Sequence, residues 1–254
     1  MASVSAHDEY PRPVVRFPAR NPLGRLLPLP PMWLEGRIAA EYVTLTRDPI
    51  FYGRGVPRGG GRPVLLIPGF LAGDTSLSVL GSWLRRMGYR PASSGIGFNI
   101  RYSEVTLMGL VDRLKSLAAK AGEKVMLVGH SRGGLLAKVV ADRHPKLAEG
   151  VIMLGSPVAD VYALHPLTLA SVHAARFYNW VRFRLAWDTE ERFLAELARR
   201  PKVPVTSIYT RSDGIVNWKA CLRDDVTALE VPGSHGGLTV NADVYRLLAR
   251  LLAS

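Results

Sequence analysis

Ser131 stands between glycines in the stretch Gly129-His130-Ser131-Arg132-Gly133, directly after the apolar run "VMLV". A serine hydroxyl is a weak nucleophile unless a base removes its proton and a third group orients that base. The GxSxG spacing suits such a nucleophile, because small flanking residues allow a tight strand-to-helix turn that leaves the hydroxyl exposed. His235 in "VPGSHGGL", flanked by small residues, is the candidate base, and Asp213 in "YTRSDGIVNW" is the candidate orienting carboxylate. The other histidines compete less well: His130 lies inside the motif and is expected to point away from the cleft, His144 ends a helix, and His165 and His173 fall in a later insert. Asp224 and Asp225 precede a strand instead of following one. A developing oxyanion needs two donors. The backbone N–H of Arg132, next after the serine, is one; the N–H of Phe70 in "LLIPGFLAGD", where Gly69 permits a tight turn, is the other.

These groups meet only if the intervening elements bring them to one edge. Apolar runs of buried-strand type cover 63–68, 124–129, 150–155, 203–210 and 226–231, with a weaker strand at 90–95. Helical spacing covers 76–89, 104–122, 134–144 and a last helix from Asn241, a good N-cap. Such alternation predicts an α/β fold, a mostly parallel sheet flanked by helices, with ligands at the carboxyl ends of the strands. Ser131, Asp213 and His235 all lie in loops that follow strands. Before this, residues 1–30 read as an irregular arm and Pro31 to about Leu45 as a helix with Leu34, Ile38, Tyr42 and Leu45 on one stripe. Residues 1–62 are thus expected to form an arm and helix packing on a catalytic domain of 63–254. The stretch "GRGVPRGGGRP" between them matches no phosphate-binding pattern and reads as a loop.

Bulk properties narrow the field. The 254 residues are 48% apolar and 21% charged, as in an ordinary globular chain. The lone Cys221 permits no intrachain disulfide, and no HExxH or paired CxxC occurs, so no metal site is expected. The first 20 residues have no apolar core and carry Asp8 and Glu9, which predicts a cytoplasmic protein, secretion staying open if a leader is missing. A net charge of +12 invites nucleic acid or anionic membrane as a partner. The arginines are dispersed without a long basic run, which argues against nucleic acid and leaves contact with an anionic membrane surface open.

From about Pro63 to the C-terminus the chain resembles an α/β-hydrolase of the bacterial lipase/esterase kind. The motifs "IPGFLAGD", "VMLVGHSRGGLLAKVVADRHP", "IYTRSDGIVNW" and "GSHGGL" carry the resemblance, and the order Ser131, Asp213, His235 is that of the family's triad. It implies hydrolysis of acyl or lipid esters through an acyl-enzyme without a cofactor. The chain departs from many such lipases in having Pro68 where they carry a histidine, and the fold's first strands are not evident before residue 63. The resemblance also implies a lid at about 160–200. There "ARFYNWVRFRLAW" sets Phe177, Trp180, Val181 and Leu185 on one helical stripe, with Arg176, Arg182 and Arg184 largely off it. With Leu71 beside the oxyanion turn, Phe177, Trp180 and Val181 are the expected acyl-binding residues; the alternative is an ordinary amphipathic helix packed on the core. An acyltransferase or thioesterase would use the same triad, and a lipid-binding protein without turnover would need none of it.

Overall fold

The computed structural model describes residues 32–101, 103–183 and 188–253, so the arm at 1–30 and Arg184 and Leu185 lie outside the described residues. A 3₁₀ segment, Met32–Arg37, leads into helix α1 (Ile38–Arg47). The chain then alternates through β1 (Pro63–Ile67), α2 (Ser78–Arg86), β2 (Arg90–Ser93), α3 (Ser103–Ala121), β3 (Val125–His130), α4 (Arg132–Arg143) and β4 (Ala148–Leu154). Helices α5 (Pro166–Phe183) and α6 (Asp188–Ala198) form the insert, followed by β5 (Val205–Tyr209), β6 (Thr227–Glu230) and α7 (Ala242–Leu251). Asn241 caps α7 as its residue type suggests, its side chain accepting the N–H groups of Asp243 and Val244. Among the described residues no strand precedes Pro63, and no helix is long and apolar enough to cross a membrane.

The six strands form one parallel sheet in the order β2-β1-β3-β4-β5-β6. Alternate residues of β1 feed two cores. Val64 and Leu66 join Leu45, Trp83 and Tyr245 on the face covered by α1, α2 and α7. Leu65 and Ile67 join Leu110, Leu136 and Phe193 on the face covered by α3, α4 and α6. Burial on both faces explains why the strands read as unbroken apolar runs in place of period-two patterns. The chain passes from β1 outward to β2 and then returns to add β3 on β1's other side. The carboxyl ends of β1 and β3 therefore diverge into a crevice, and both the Phe70 turn and Ser131 sit there.

The insert is fastened to this frame by buried ionic contacts. Lys138 on α4 is fully buried and donates to the carbonyls of Glu196 (2.9 Å), Leu197 (2.9 Å) and Arg199 (2.6 Å) at the carboxyl end of α6. Its ammonium also pairs with Asp142 at 2.9 Å. A cation there meets the negative end of the helix dipole and satisfies carbonyls that the helix cannot. Burial pulls the lysine pKa down, and the contact with Asp142 opposes this. Arg143 adds a fork onto Glu104 of α3 (2.8 Å to each oxygen) and a 2.7 Å bond from Nε to Glu196 of α6. Lys138→Met should take the buried cation from Asp142 and the ammonium from the Glu196 carbonyl, while Arg223 still donates to the carbonyls of Leu197 (2.9 Å) and Arg199 (3.3 Å), at a cost of about 3 kcal/mol or roughly 6–12 °C of melting temperature. Thermal unfolding measures this, and a wild-type Tm would show that the ammonium does not hold α6.

Candidate active site

Between the last residue of β3 and the first of α4, Ser131 is alone in the turn, with φ 52° and ψ −124°. Among the described residues only one other non-glycine, Leu71 (φ 59°) in the loop opposite, has positive φ. Such conformations cost energy and persist where packing dictates them. Here α4 starts hard against β1: a Cβ on Gly133 would collide with the carbonyl oxygen of Ile67 and lie 2.6 Å from that of Pro68. A Cβ on Gly129 would collide with the backbone of Gly133 and Gly134. The turn is then tied down by its own backbone, Ser131 N–H donating to Leu154 (2.7 Å) and its carbonyl accepting from Ser156 Oγ (2.6 Å) and Gly134 N–H (3.0 Å).

Asp213 lies in the loop after β5, and His235 in the loop after β6. Asp213 Oδ1 accepts the N–H groups of Ile215 (2.9 Å) and Val216 (2.7 Å), which fixes the carboxylate and leaves Oδ2 for His235 Nδ1 at 2.7 Å. Both residues are buried, with 3% and 5% of their surface exposed. Burial alone would lower the imidazole pKa, but the charge and hydrogen bond of Asp213, with a contribution from Glu35, raise it above its ordinary value. With Nδ1 committed to Asp213, Nε2 is the nitrogen left for chemistry, and His235 and Ser131 line one cavity. Among the described residues the Ser131 hydroxyl makes no hydrogen bond.

His130 does not point away from the cleft, as its place in the motif suggested. It lines the cavity, its ring lies 4.8 Å from that of His235, and its Nε2–H donates to the His235 carbonyl at 3.0 Å. Burial, with the charge of His235 beside it, pulls its pKa down to about 3, so it stays neutral and keeps that bond. Alternation along β3 puts His130 on the same face as Met126 and Val128, the face covered by α1, α2 and α7, which is where the His235 loop lies.

Phe70 and Leu71 occupy the turn facing Ser131 across the crevice. Among the described residues neither the Phe70 N–H nor the Arg132 N–H donates to a protein acceptor. The turn is held by the buried Asn99, which accepts from Leu71 N–H (3.3 Å), donates its own N–H to Ala72 (2.9 Å) and donates Nδ2 to Pro68 (2.8 Å). Arg132 in turn donates Nη1 to Asn99 Oδ1 (3.0 Å) and Nη2 to Ser103 Oγ (3.2 Å). The side chain of Arg132 thus ties the serine turn to the loop opposite, a role that its backbone assignment alone does not reveal.

The cavity holds about 310 Å³ and its far wall is apolar, with Val172, Phe193, Leu194 and Ile215 among the lining residues. Leu71 lines it as expected, but Phe177, Trp180 and Val181 do not. These three are 63%, 46% and 57% exposed, on the outer side of α5. The inner side carries Thr168, Val172, Ala175, Arg176 and Asn179. The expected stripe was wrong because α5 has apolar residues on both sides, and size favoured the outer set. Arg176, expected to lie off the apolar stripe, faces the cavity and donates to the Tyr162 hydroxyl at 3.0 Å.

No family model matches the chain. A triacylglycerol lipase of Pseudarthrobacter phenanthrenivorans is 39% identical over 72 residues, which cover 25% of this chain and 23% of that protein. The chain therefore spans less than a quarter of that relative's length. A soluble variant of Saccharomyces cerevisiae monoglyceride lipase superposes with a TM-score of 0.56 at 16% identity, covering 79% of this chain and 88% of the yeast one. An extracellular α/β-hydrolase of a Paenibacillus species gives a TM-score of 0.50 at 18% identity, over 76% of this chain and 98% of the other. The protein has the α/β-hydrolase fold.

Gly133→Ala should abolish the close approach of α4 to β1 and displace Ser131. Turnover should fall by on the order of 10²-fold, since a shift near 1 Å at a reacting atom carries that penalty. Steady-state rates beside circular dichroism check it; full activity would mean that the turn tolerates a Cβ.

Proposed function

We infer that the protein is a serine carboxylic-ester hydrolase acting on acyl or lipid esters through an acyl-enzyme. One observation carries this reading: a buried Asp213–His235 pair at 2.7 Å shares a cavity with a serine in a strained turn. In this mechanism Ser131 Oγ attacks the acyl carbon as His235 Nε2 takes its proton, and Asp213 keeps Nδ1 protonated and steadies the imidazolium. The negative oxygen of the tetrahedral intermediate takes the N–H groups of Phe70 and Arg132. Collapse breaks the ester C–O bond, and the leaving alcohol receives the proton from Nε2. Water then attacks the acyl carbon along the same route, returning the carboxylic acid and free Ser131. The apolar far wall of the cavity suits an acyl chain, and similarity to a protein named triacylglycerol lipase favours lipid esters.

Two predictions test this reading. Ser131→Ala should lose at least ~10³-fold of turnover on nitrophenyl esters, together with covalent labelling by an organophosphonate. In the wild type kcat/KM should fall on the acid side with a midpoint above ~6.5, because only the neutral ring accepts the serine proton and the folded protein raises its pKa. A labelled, active alanine variant, or a midpoint below that value, would contradict the assignment. Product analysis with a competing alcohol separates hydrolysis from acyl transfer.

Chain-length preference belongs to the inner side of α5. Ala175→Trp should fill the cavity and shift relative rates toward short acyl esters, whereas Trp180→Ala, on the outer side, should leave the ratio unchanged. A nitrophenyl ester series on both variants decides; a shifted ratio in Trp180→Ala would return the outer stripe to the acyl site.

A further inference from the structure

The segment ahead of the sheet carries two glutamates that reach the loops of the proposed catalytic pair. Glu35 Oε1 accepts the N–H of Gly214 (2.8 Å) and that of His235 itself (2.9 Å), while Oε2 accepts the N–H of Gly236 (2.9 Å). In α1, Glu41 accepts Ser234 N–H on Oε1 (2.8 Å) and Ser234 Oγ–H on Oε2 (3.0 Å). The fit is close: a Cβ on Gly237 would collide with the Glu41 carboxylate, and one on Gly236 would lie 2.6 Å from Ile38. This accounts for the small residues around His235 in "GSHGGL".

We propose that Glu35 and Glu41 are positioning residues of the active site, with the N-terminal segment acting as a clamp that locks the acid loop to the histidine loop. The inference rests on the ester-hydrolase reading above for its catalytic consequence, and on the hydrogen bonds alone for its geometry. Asp213 and His235 sit on separate loops, 22 residues apart in sequence, and their contact survives only if both loops keep register. Thr210 Oγ1 and Ser212 Oγ join the loops further back, both donating to the Gly233 carbonyl. Glu35 joins them at the working residues, holding the peptide just after Asp213 and the peptide of His235 with the same carboxylate. His130 grips the other side of the histidine through its carbonyl, so the base is held by both its N–H and its C=O. Carboxylate acceptors form stronger bonds to backbone N–H than neutral groups do. The full charge also lies close enough to favour the imidazolium that forms during turnover.

The ionisable or charged groups facing His235 are Asp213 from the loop after β5, His130 from the end of β3 and Glu35 from the 3₁₀ segment, with the Ser131 hydroxyl across the cavity. Glu35→Gln removes the charge and replaces one acceptor oxygen by a donor that opposes a backbone N–H. Glu35→Asp keeps the charge but is too short to span both loops. Kinetics on a short nitrophenyl ester, normalised to sites labelled by an organophosphonate, should show kcat lower by on the order of 10- to 100-fold in both variants, with KM little changed. The acid limb should move to lower pH in Glu35→Gln alone, since losing the negative charge makes the imidazolium less stable. Glu123→Gln, which removes a surface partner of Arg90, should behave as wild type. An NMR titration of the His235 imidazole in wild type and Glu35→Gln reads the same coupling without turnover. Unchanged kcat per labelled site with only a lower Tm would make Glu35 a structural residue and overturn the proposal. An imidazole titration indistinguishable from wild type in Glu35→Gln would overturn it too. Absence of ester turnover in the wild type would instead defeat the hydrolase reading, leaving the titration to judge the clamp.

Discussion

Helix α4 leaves the sheet so close to β1 that only glycine fits at 129 and 133, and Ser131 is forced to φ 52° between them. The strain is repaid by the packing of a helix that is buried along most of its length. Everything else at the site is arranged around that fixed point. The turn presents the hydroxyl at the switch point of the sheet, where β1 and β3 part and the Phe70 loop closes the opposite side. The same close approach places the first N–H groups of α4, which have no intrahelical partner, beside the serine. A single steric constraint thus supplies an exposed hydroxyl and a donor for negative charge together.

The second requirement is to keep a carboxylate and an imidazole buried and paired. Taking two such groups from water is costly unless every lone pair and proton is engaged. Asp213 is held by two backbone N–H groups and the imidazole, and His235 by Asp213 at Nδ1 and by Glu35 and His130 on its backbone, with Nε2 alone left unengaged among the described residues. The neighbouring histidine remains neutral because burial and the charge of His235 disfavour a second cation there. The two rings therefore divide their tasks by environment: one can take up a proton, the other serves as a fixed donor.

The cavity wall is built by the insert, and the insert is held at its far end. Lys138 and Arg143 bind the end of α6 to α4, the helix that starts just after Ser131, so the cavity wall and the serine turn share one rigid element. Helix α5 is tied on its inner side by the buried Asn179, which donates to the Ile100 carbonyl at 2.7 Å, while Phe177, Tyr178, Trp180 and Val181 face outward. Thr168, Val172 and Ala175 on its inner side meet the cavity with small side chains, which leaves room between α5 and the serine.

Sequence alone determined the alternation of elements and the sheet class, and it singled out Ser131, Asp213 and His235 as candidates, because each rests on local signals. Apolar runs mark buried strands, periodicity marks helices, and loops after parallel strands open at one edge. Even the N-cap of α7 was legible at Asn241. Tertiary structure decided what depends on partners distant in the chain. Glu35 lies 200 residues before the histidine whose N–H it accepts, and no pattern in "MWLEGR" records that bond. The cavity-facing side of α5 was likewise set by the packing around it. A hydrogen bond between remote segments leaves no period in either one, and a helix apolar on two sides does not say which side faces the cavity.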